Sequence, residues 1–371
     1  MTFYLIPLFA LLSPWYMPSP WLETDPLEQA RAKIVEAEYF AYQTTSHWPN
    51  MAGIVETTII QSAFFQNEEN FLGYDFILAS ERYDVIYHEG VQKIAWHNWA
   101  HPETFQILEP SDFANQIAFE DAVNAGSWHK FSLKRLPFKD LGYSHDTVLE
   151  NTTYRVYVME HEPTELGYIT REYVNLDPVT LLIDRYDRIV YDPQGRIDQH
   201  VRLLFADQQF SSEAQPFNYQ PPAGYQTAYG QIEREIEPIR IGQMAPRFDA
   251  QDLEGNIINL AHYQGKRMML FFSTLTCGYC KQSLDYMNED GYEFRDDVVW
   301  LYLNPQDSKD MLLKAQERLE VPFPVVPVPK AVGEAFGVVS YPTFIEINGQ
   351  GQVTQLQGGF STEFLDNYRA E

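Results

Sequence analysis

The chain has 371 residues, of which 45% are apolar and 15% aromatic; one core rarely grows past ~250–300 residues, so two domains are expected. A formal net charge of −26 repels phosphate backbones and argues against a nucleic-acid partner. Only two cysteines occur, three positions apart, which suits an oxidising compartment because no spare thiol is left to mispair.

Residues 3–12 (FYLIPLFALL) are apolar. The run is too short for a membrane span of ~20 residues and Pro7 interrupts it, but its length suits the core of a signal peptide within residues 1–22. No Lys or Arg precedes it, and no clear small-x-small cleavage site follows. The expected location is the periplasm or cell envelope, with the cytoplasm as the alternative.

A first helix is predicted from Asp25-Pro26, with Asp as N-cap, Pro at the first helical position and Glu28 three residues on. Leu27, Ala30, Ile34, Ala37 and Ala41 then share one helical face. Residues 53–100 read as strands. Tyr83, Val85 and Tyr87 alternate with other residue types, His88-Glu89-Gly90 forms a hairpin turn, and residues 91–99 return. A second helix is expected over residues 111–125, capped by Ser111. Strands resume over 147–160, 167–175, 181–191 and 196–205, with turns at Asp177-Pro178 and Asp192-Pro193-Gln194-Gly195.

This order predicts a strongly curved antiparallel sheet, a half-barrel with helices over its open side, across residues 25–225. Two segments carry a likeness: the run from Tyr173-Val174-Asn175-Leu176-Asp177-Pro178 to Arg185, and the close Phe217-Asn218-Tyr219-Gln220-Pro221-Pro222. With the opening helix and long hairpins, they make this part similar to the lipoprotein-carrier fold of the LolA and LolB type. That resemblance implies an apolar ligand or lipoprotein as a partner. Trp96, Trp99, Phe105, Phe113 and Phe119 could line such a cavity, though they suit an ordinary core at least as well. His88, His97 and His101 lie close in sequence without a recognised metal-ligand spacing.

Residues 226–241, charged and carrying Pro238, read as a linker. Residues 242–371 then alternate: strands at 257–260, 267–273 and 298–303, helices from 280, 308 and 331, strands at 343–347 and 352–356, and a last helix from Ser361. This α/β order holds Cys277-Gly278-Tyr279-Cys280 where a buried strand gives way to a helix. A sulfur at a helix start meets unpaired N–H groups and the positive end of the helix dipole, which favour the reactive thiolate. Cys277 is therefore the expected attacking thiol. Cys280, one turn deeper, is the expected resolving thiol. Zinc would need four ligands, and only His262 is available in this part. A purely structural disulfide across so short a loop would stabilise little.

Several segments fall in the order of the TlpA-like and redoxin branch of the thioredoxin superfamily, which residues 242–371 resemble. They are Gly242-Gln243-Met244-Ala245-Pro246-Arg247-Phe248, Asp252-Leu253-Glu254-Gly255-Asn256, Tyr263-Gln264-Gly265-Lys266, the cysteine pair, Tyr341-Pro342-Thr343 and Gly358-Gly359. The resemblance implies a thioredoxin fold and thiol–disulfide exchange. It also implies a cis Pro342 opposite Cys277, with the Tyr341 backbone open to an extended substrate. The implied partners are protein disulfides or dithiols and a membrane or soluble dithiol that recycles the pair; no cofactor is expected. Thr276 stands where Trp is common. Phe271 stands where thioredoxin has a buried acid, and Lys281-Gln282-Ser283 replace a glutamate often found after the pair. Asp285 and Glu346 are the nearest carboxylates in sequence, expected to face solvent or bond locally. A thiol peroxidase is the alternative enzyme, but Leu270 occupies that family's proline position. A lipid- or lipoprotein-binding protein with a redox appendage is the non-enzymatic alternative.

Overall fold

The computed structural model describes residues 25–51, 53–97, 101, 103–125, 129–164, 166–232, 237–316 and 318–370. The apolar segment of residues 1–22 and Trp99 lie outside them. No helix among the described residues is long and apolar enough to cross a membrane.

The first part opens with α1 (Pro26–Glu36). Asp25 accepts the Leu27 N–H at 2.8 Å and the Tyr157 hydroxyl at 2.6 Å, so the cap also ties the helix to the sheet. The helix stops five residues sooner than its apolar spacing predicts: Ala37 is extended and Ala41 lies on a strand. Phe40, Tyr42, Thr44 and Ser46 alternate inward there, and two neighbouring strands claim the backbone of this segment.

Six strands follow: β1 (Tyr39–Pro49), β2 (Val55–Gln66), β3 (Tyr74–Ser80), β4 (Tyr83–His88), β5 (Val91–Trp96) and β6 (Thr104–Leu108). Next come α2 (Gln116–Ala125), β7 (Gly142–Leu149), β8 (Thr152–Glu160), β9 (Ile169–Asp177), β10 (Leu182–Tyr191), β11 (Ile197–Ser211) and β12 (Gln226–Tyr229). They form one 12-stranded sheet in the order β12-β6-β5-β4-β3-β2-β1-β11-β10-β9-β8-β7. The sheet is open, with β12 and β7 at its edges. Helix α2 starts later than predicted because Asn115, not Ser111, caps it; Ser111 sits in a 3-10 turn over Pro110–Asp112. Leu27, Ala30 and Ile34 of α1 and Phe119 and Val123 of α2 join Phe40, Phe64, Phe76, Val174 and Leu203 in one core. Trp96 and Phe113 pack on that core, and Phe105 is buried beside Tyr219.

The stretch predicted as a linker contributes described residues to both parts. Its first residues form β12, parallel to β6, and Ile239 enters the core of the second part. Glu237 to Ile239 pass so close to Gly337 (φ +68°) that a Cβ there would lie 2.6 Å from the Ile239 nitrogen, a contact only glycine allows.

A small hairpin, β13 (Asp249–Gln251) and β14 (Ile257–Asn259), leads into the second sheet. That sheet contains β15 (Arg267–Phe272), β16 (Val298–Asn304), β17 (Val325–Pro327), β18 (Thr343–Ile347) and β19 (Val353–Gly358) in the order β17-β16-β15-β18-β19. Strands β15 to β17 are parallel, and β18 and β19 run antiparallel. Helices α3 (Gly278–Met287), α4 (Lys309–Gln316), α5 (Lys330–Ala335) and α6 (Thr362–Asp366) complete it. Met269 and Phe271 face a core shared with α3, α4 and α6, while Met268, Leu270 and Phe272 face a second core beneath Phe336 and Ile239. Cover on both faces explains why the run from Met268 to Phe272 is apolar without alternation.

Candidate active site

The apolar strand β15 ends at Ser273, and a short loop turns the chain into α3. Leu275 N–H donates to the Asp307 carboxylate at 2.8 Å, and Thr274 and Thr276 bond each other at 2.9 Å. These contacts hold the loop so that Cys277 is the N-cap of α3. The Cys277 sulfur accepts the Cys280 N–H at 3.3 Å and lies 3.3 Å from the Tyr341 carbonyl, to which its thiol can donate. Both cysteines are free thiols; Cys277 is half-buried and Cys280 is 0% exposed.

The two sulfurs are driven apart in acidity. The Cys280 thiol and the Cys280 and Tyr279 N–H groups hydrogen-bond the Cys277 sulfur and lower its pKa to about 7 against the opposing effect of burial. Burial, then the neighbouring Cys277 sulfur, push Cys280 well above the ordinary thiol range; the Ser273 hydroxyl and Thr274 N–H oppose that rise.

Tyr341 and Pro342 sit in the loop before β18, and their peptide bond is cis. Thus Tyr341, 64 residues away in sequence, is brought onto the Cys277 sulfur of the cysteine pair. Phe271, at the position of thioredoxin's acid, is fully buried and stacked on Phe344 at 4.6 Å. The two carboxylates singled out from the sequence are engaged elsewhere. Asp285 takes the Tyr168 hydroxyl and the Lys281 ammonium, each at 2.7 Å. Glu346, only 3% exposed and so not solvent-facing, holds Arg267 and the Tyr368 hydroxyl.

Sequence reasoning missed Ser273, Tyr302 and Asp307. Ser273 and Tyr302 are buried beside Cys280; the Ser273 hydroxyl is near enough to act on both neighbours yet aligned as a hydrogen bond with neither. The visible signal is a polar residue closing an apolar strand, at Ser273 after β15 and again at Asn304 in β16.

Also unforeseen is how closely the first sheet embraces this site. Met51 N–H, just past β1, donates to the Leu275 carbonyl at 2.6 Å, and the Met51 side chain enters the second core. Lys281, next to Cys280, bridges Asp198 of β11 at 2.6 Å and Asp285 of its own helix. The Tyr168 hydroxyl closes the same junction. A cleft of about 760 Å³ runs between the two parts and is bordered by Leu275, Thr276, Gly278 and Tyr279 on either side of Cys277. His88 is bonded to Asp75 and stacked on Phe217, His97 bonds Asp84 and Tyr225, and His101 packs on Trp96.

Comparison with known proteins bears on this arrangement. Residues 241–356 match the model of the AhpC/TSA family. Thiol-disulfide oxidoreductase ResA of Bacillus cereus is 30% identical over 149 residues, covering 39% of this chain and 85% of that protein. ResA of Geobacillus thermodenitrificans is 33% identical over 143 residues, covering 38% and 81%. The chain belongs to the TlpA-like thiol–disulfide oxidoreductases of the thioredoxin superfamily. Among solved structures, the exposed lipoprotein thioredoxin Etrx1 of Streptococcus pneumoniae is 26% identical, covering 33% of this chain and 99% of that one at a TM-score of 0.29. The family match of this oxidoreductase lies in its C-terminal part; the 12-stranded part is additional to it.

Proposed function

We propose that this oxidoreductase exchanges disulfides with proteins through Cys277 and Cys280. The carrying observation is the division of labour at the start of α3: one half-buried sulfur with a pKa near 7 at the helix cap, and one buried thiol a turn below it. The Cys277 thiolate attacks a substrate disulfide, R–S–S–R′, forming Cys277–S–S–R and releasing R′S⁻, which takes a proton from water. Cys280 then loses its proton, attacks the Cys277 sulfur and displaces R as RSH. Two electrons have passed from the dithiol to the substrate, and a membrane or soluble dithiol returns them. The reverse sequence oxidises a dithiol. The Tyr341 carbonyl, beside Cys277 and ahead of Pro342, is the backbone group against which an extended substrate would lie.

Export belongs to this proposal. It is supported by the apolar residues 3–12 and by a thiol content limited to the working pair.

The test is a trap. Cys280→Ser keeps the attacking sulfur but removes the resolving one, so a mixed disulfide should persist on Cys277 when the variant is expressed in its host. Covalently captured proteins released by dithiothreitol are the expected result. An empty trap combined with no insulin reduction by the native protein contradicts the proposal.

A further inference from the structure

The interdomain cleft has two lobes that meet at Lys281, and their charges differ. The lobe away from the cysteines, about 530 Å³, is lined by Asp192, Asp198, Asp285, Glu289 and Glu320 against Arg196, Lys281 and Arg318. Among the described residues, the lobe beside Cys277 carries Lys130, Arg188 and Lys281 against Asp198. Asp198 is neutralised by Lys281 at 2.6 Å. Among the described residues, Arg188 donates to the Gln199 side-chain Oε1 at 3.4 Å. Glu172, opposite Arg188 in the β9–β10 ladder, accepts from His161 at 2.9 Å and does not line the lobe. Lys130 is exposed above the Phe131 ring. Among the described residues, neither Lys130 nor Arg188 is ion-paired. In a chain with twice as many acids as bases, a lobe with surplus positive charge beside the working sulfur is a local exception.

The remaining wall is mixed: Trp48, Met51, Tyr168 and Val190 from the first part and Tyr279, 63% exposed, and Phe360 from the second supply apolar surface, interrupted by polar side chains such as Asn50 and Gln199. A volume of this order holds a short peptide segment rather than a lone disulfide.

We propose that this lobe is the substrate-docking groove of the oxidoreductase, and that it selects an extended polypeptide segment bearing acidic residues next to its cysteine. The inference rests on the thiol–disulfide reading above. Its physical content is steering. Two cations at a concave, partly apolar surface raise the encounter rate of an anionic segment, and salt suppresses the effect. The first part of the chain thereby supplies specificity to a chemistry carried by the second.

The test compares three peptide disulfides, identical except for Glu, Ser or Lys flanking the cysteine, as substrates of the full-length reduced protein. The expected order of kcat/KM is Glu over Ser over Lys, with about tenfold between the extremes at low salt, collapsing near 1 M salt. The net charge of −26 acting alone predicts the opposite order. In the K130E/R188E double variant the order should invert. Equal rates for the three peptides in the native protein, or an order that K130E/R188E leaves intact, overturns the groove assignment. Hydroxyethyl disulfide, small and neutral, separates the two levels: its turnover without any charge preference among peptides overturns the groove alone, whereas no turnover of any disulfide overturns the thiol–disulfide reading itself.

Discussion

At Cys277 three hydrogen-bond donors outweigh burial, and at Cys280 burial outweighs two. In the proposed exchange the second balance governs release of the mixed disulfide, because Cys280 must become a thiolate in a site with Phe271 where a carboxylate could have stood. Ser273 is the polar side chain placed to meet that charge. Its hydroxyl is buried and unaligned while Cys280 is a thiol, a state that costs about 1–3 kcal/mol, and it gains an acceptor when the sulfur becomes anionic. Ser273→Ala should therefore slow release of the mixed disulfide about tenfold, the equivalent of about 1.4 kcal/mol. Attack by Cys277 should change little, as single-turnover kinetics would resolve. Equal release rates in the variant would show that the Thr274 N–H stabilises the thiolate alone.

Among the elements, those with chemical punctuation were readable before the structure. Asp25-Pro26 opens α1, Ser361 caps α6, and the cysteine pair opens α3, each because a side chain there satisfies a free N–H. Strand β18 was readable to the residue, following directly on Tyr341-Pro342. By contrast β17 was hidden by Pro324, Pro327 and Pro329, which read as loop; the strand survives because it is an edge, where a missing N–H is tolerated. Ala37 and Ala41 matched a helical period by coincidence, and the alternation of Phe40 and Tyr42 prevailed. Ser111 was the expected cap of α2, but Asn115 accepts the Ala118 N–H and the helix starts there. The Lys281 bridge, the Met51 contact and Tyr168 carried no signal, since their partners lie far apart in sequence and meet only when both sheets have formed.

For the whole molecule, that junction couples the added 12-stranded part to the redox helix. Lys281 is a quarter exposed and Asp198 less so, so the pair is partly shielded from solvent and worth more than a surface pair. A double-mutant cycle of Lys281→Met and Asp198→Asn, read by urea midpoints at constant slope, should give a coupling of about 1 kcal/mol. A coupling near zero would mean the two parts are held by Met51 and Tyr168 without the ion pair. The arrangement places the sulfurs on the second sheet's helix and walls the cleft beside them with residues of both parts.

All of this depends on the acidity of one sulfur, and that is directly measurable. The alkylation rate of Cys277 by iodoacetamide, followed site by site by mass spectrometry in the fully reduced native chain, should be half-maximal at a pH of about 7. It should fall about tenfold per unit below that point and level off above it, because only the thiolate reacts. Cys280 should stay unmodified throughout. A midpoint at the ordinary thiol value of about 8.5, or modification of Cys280 before Cys277, would contradict the account.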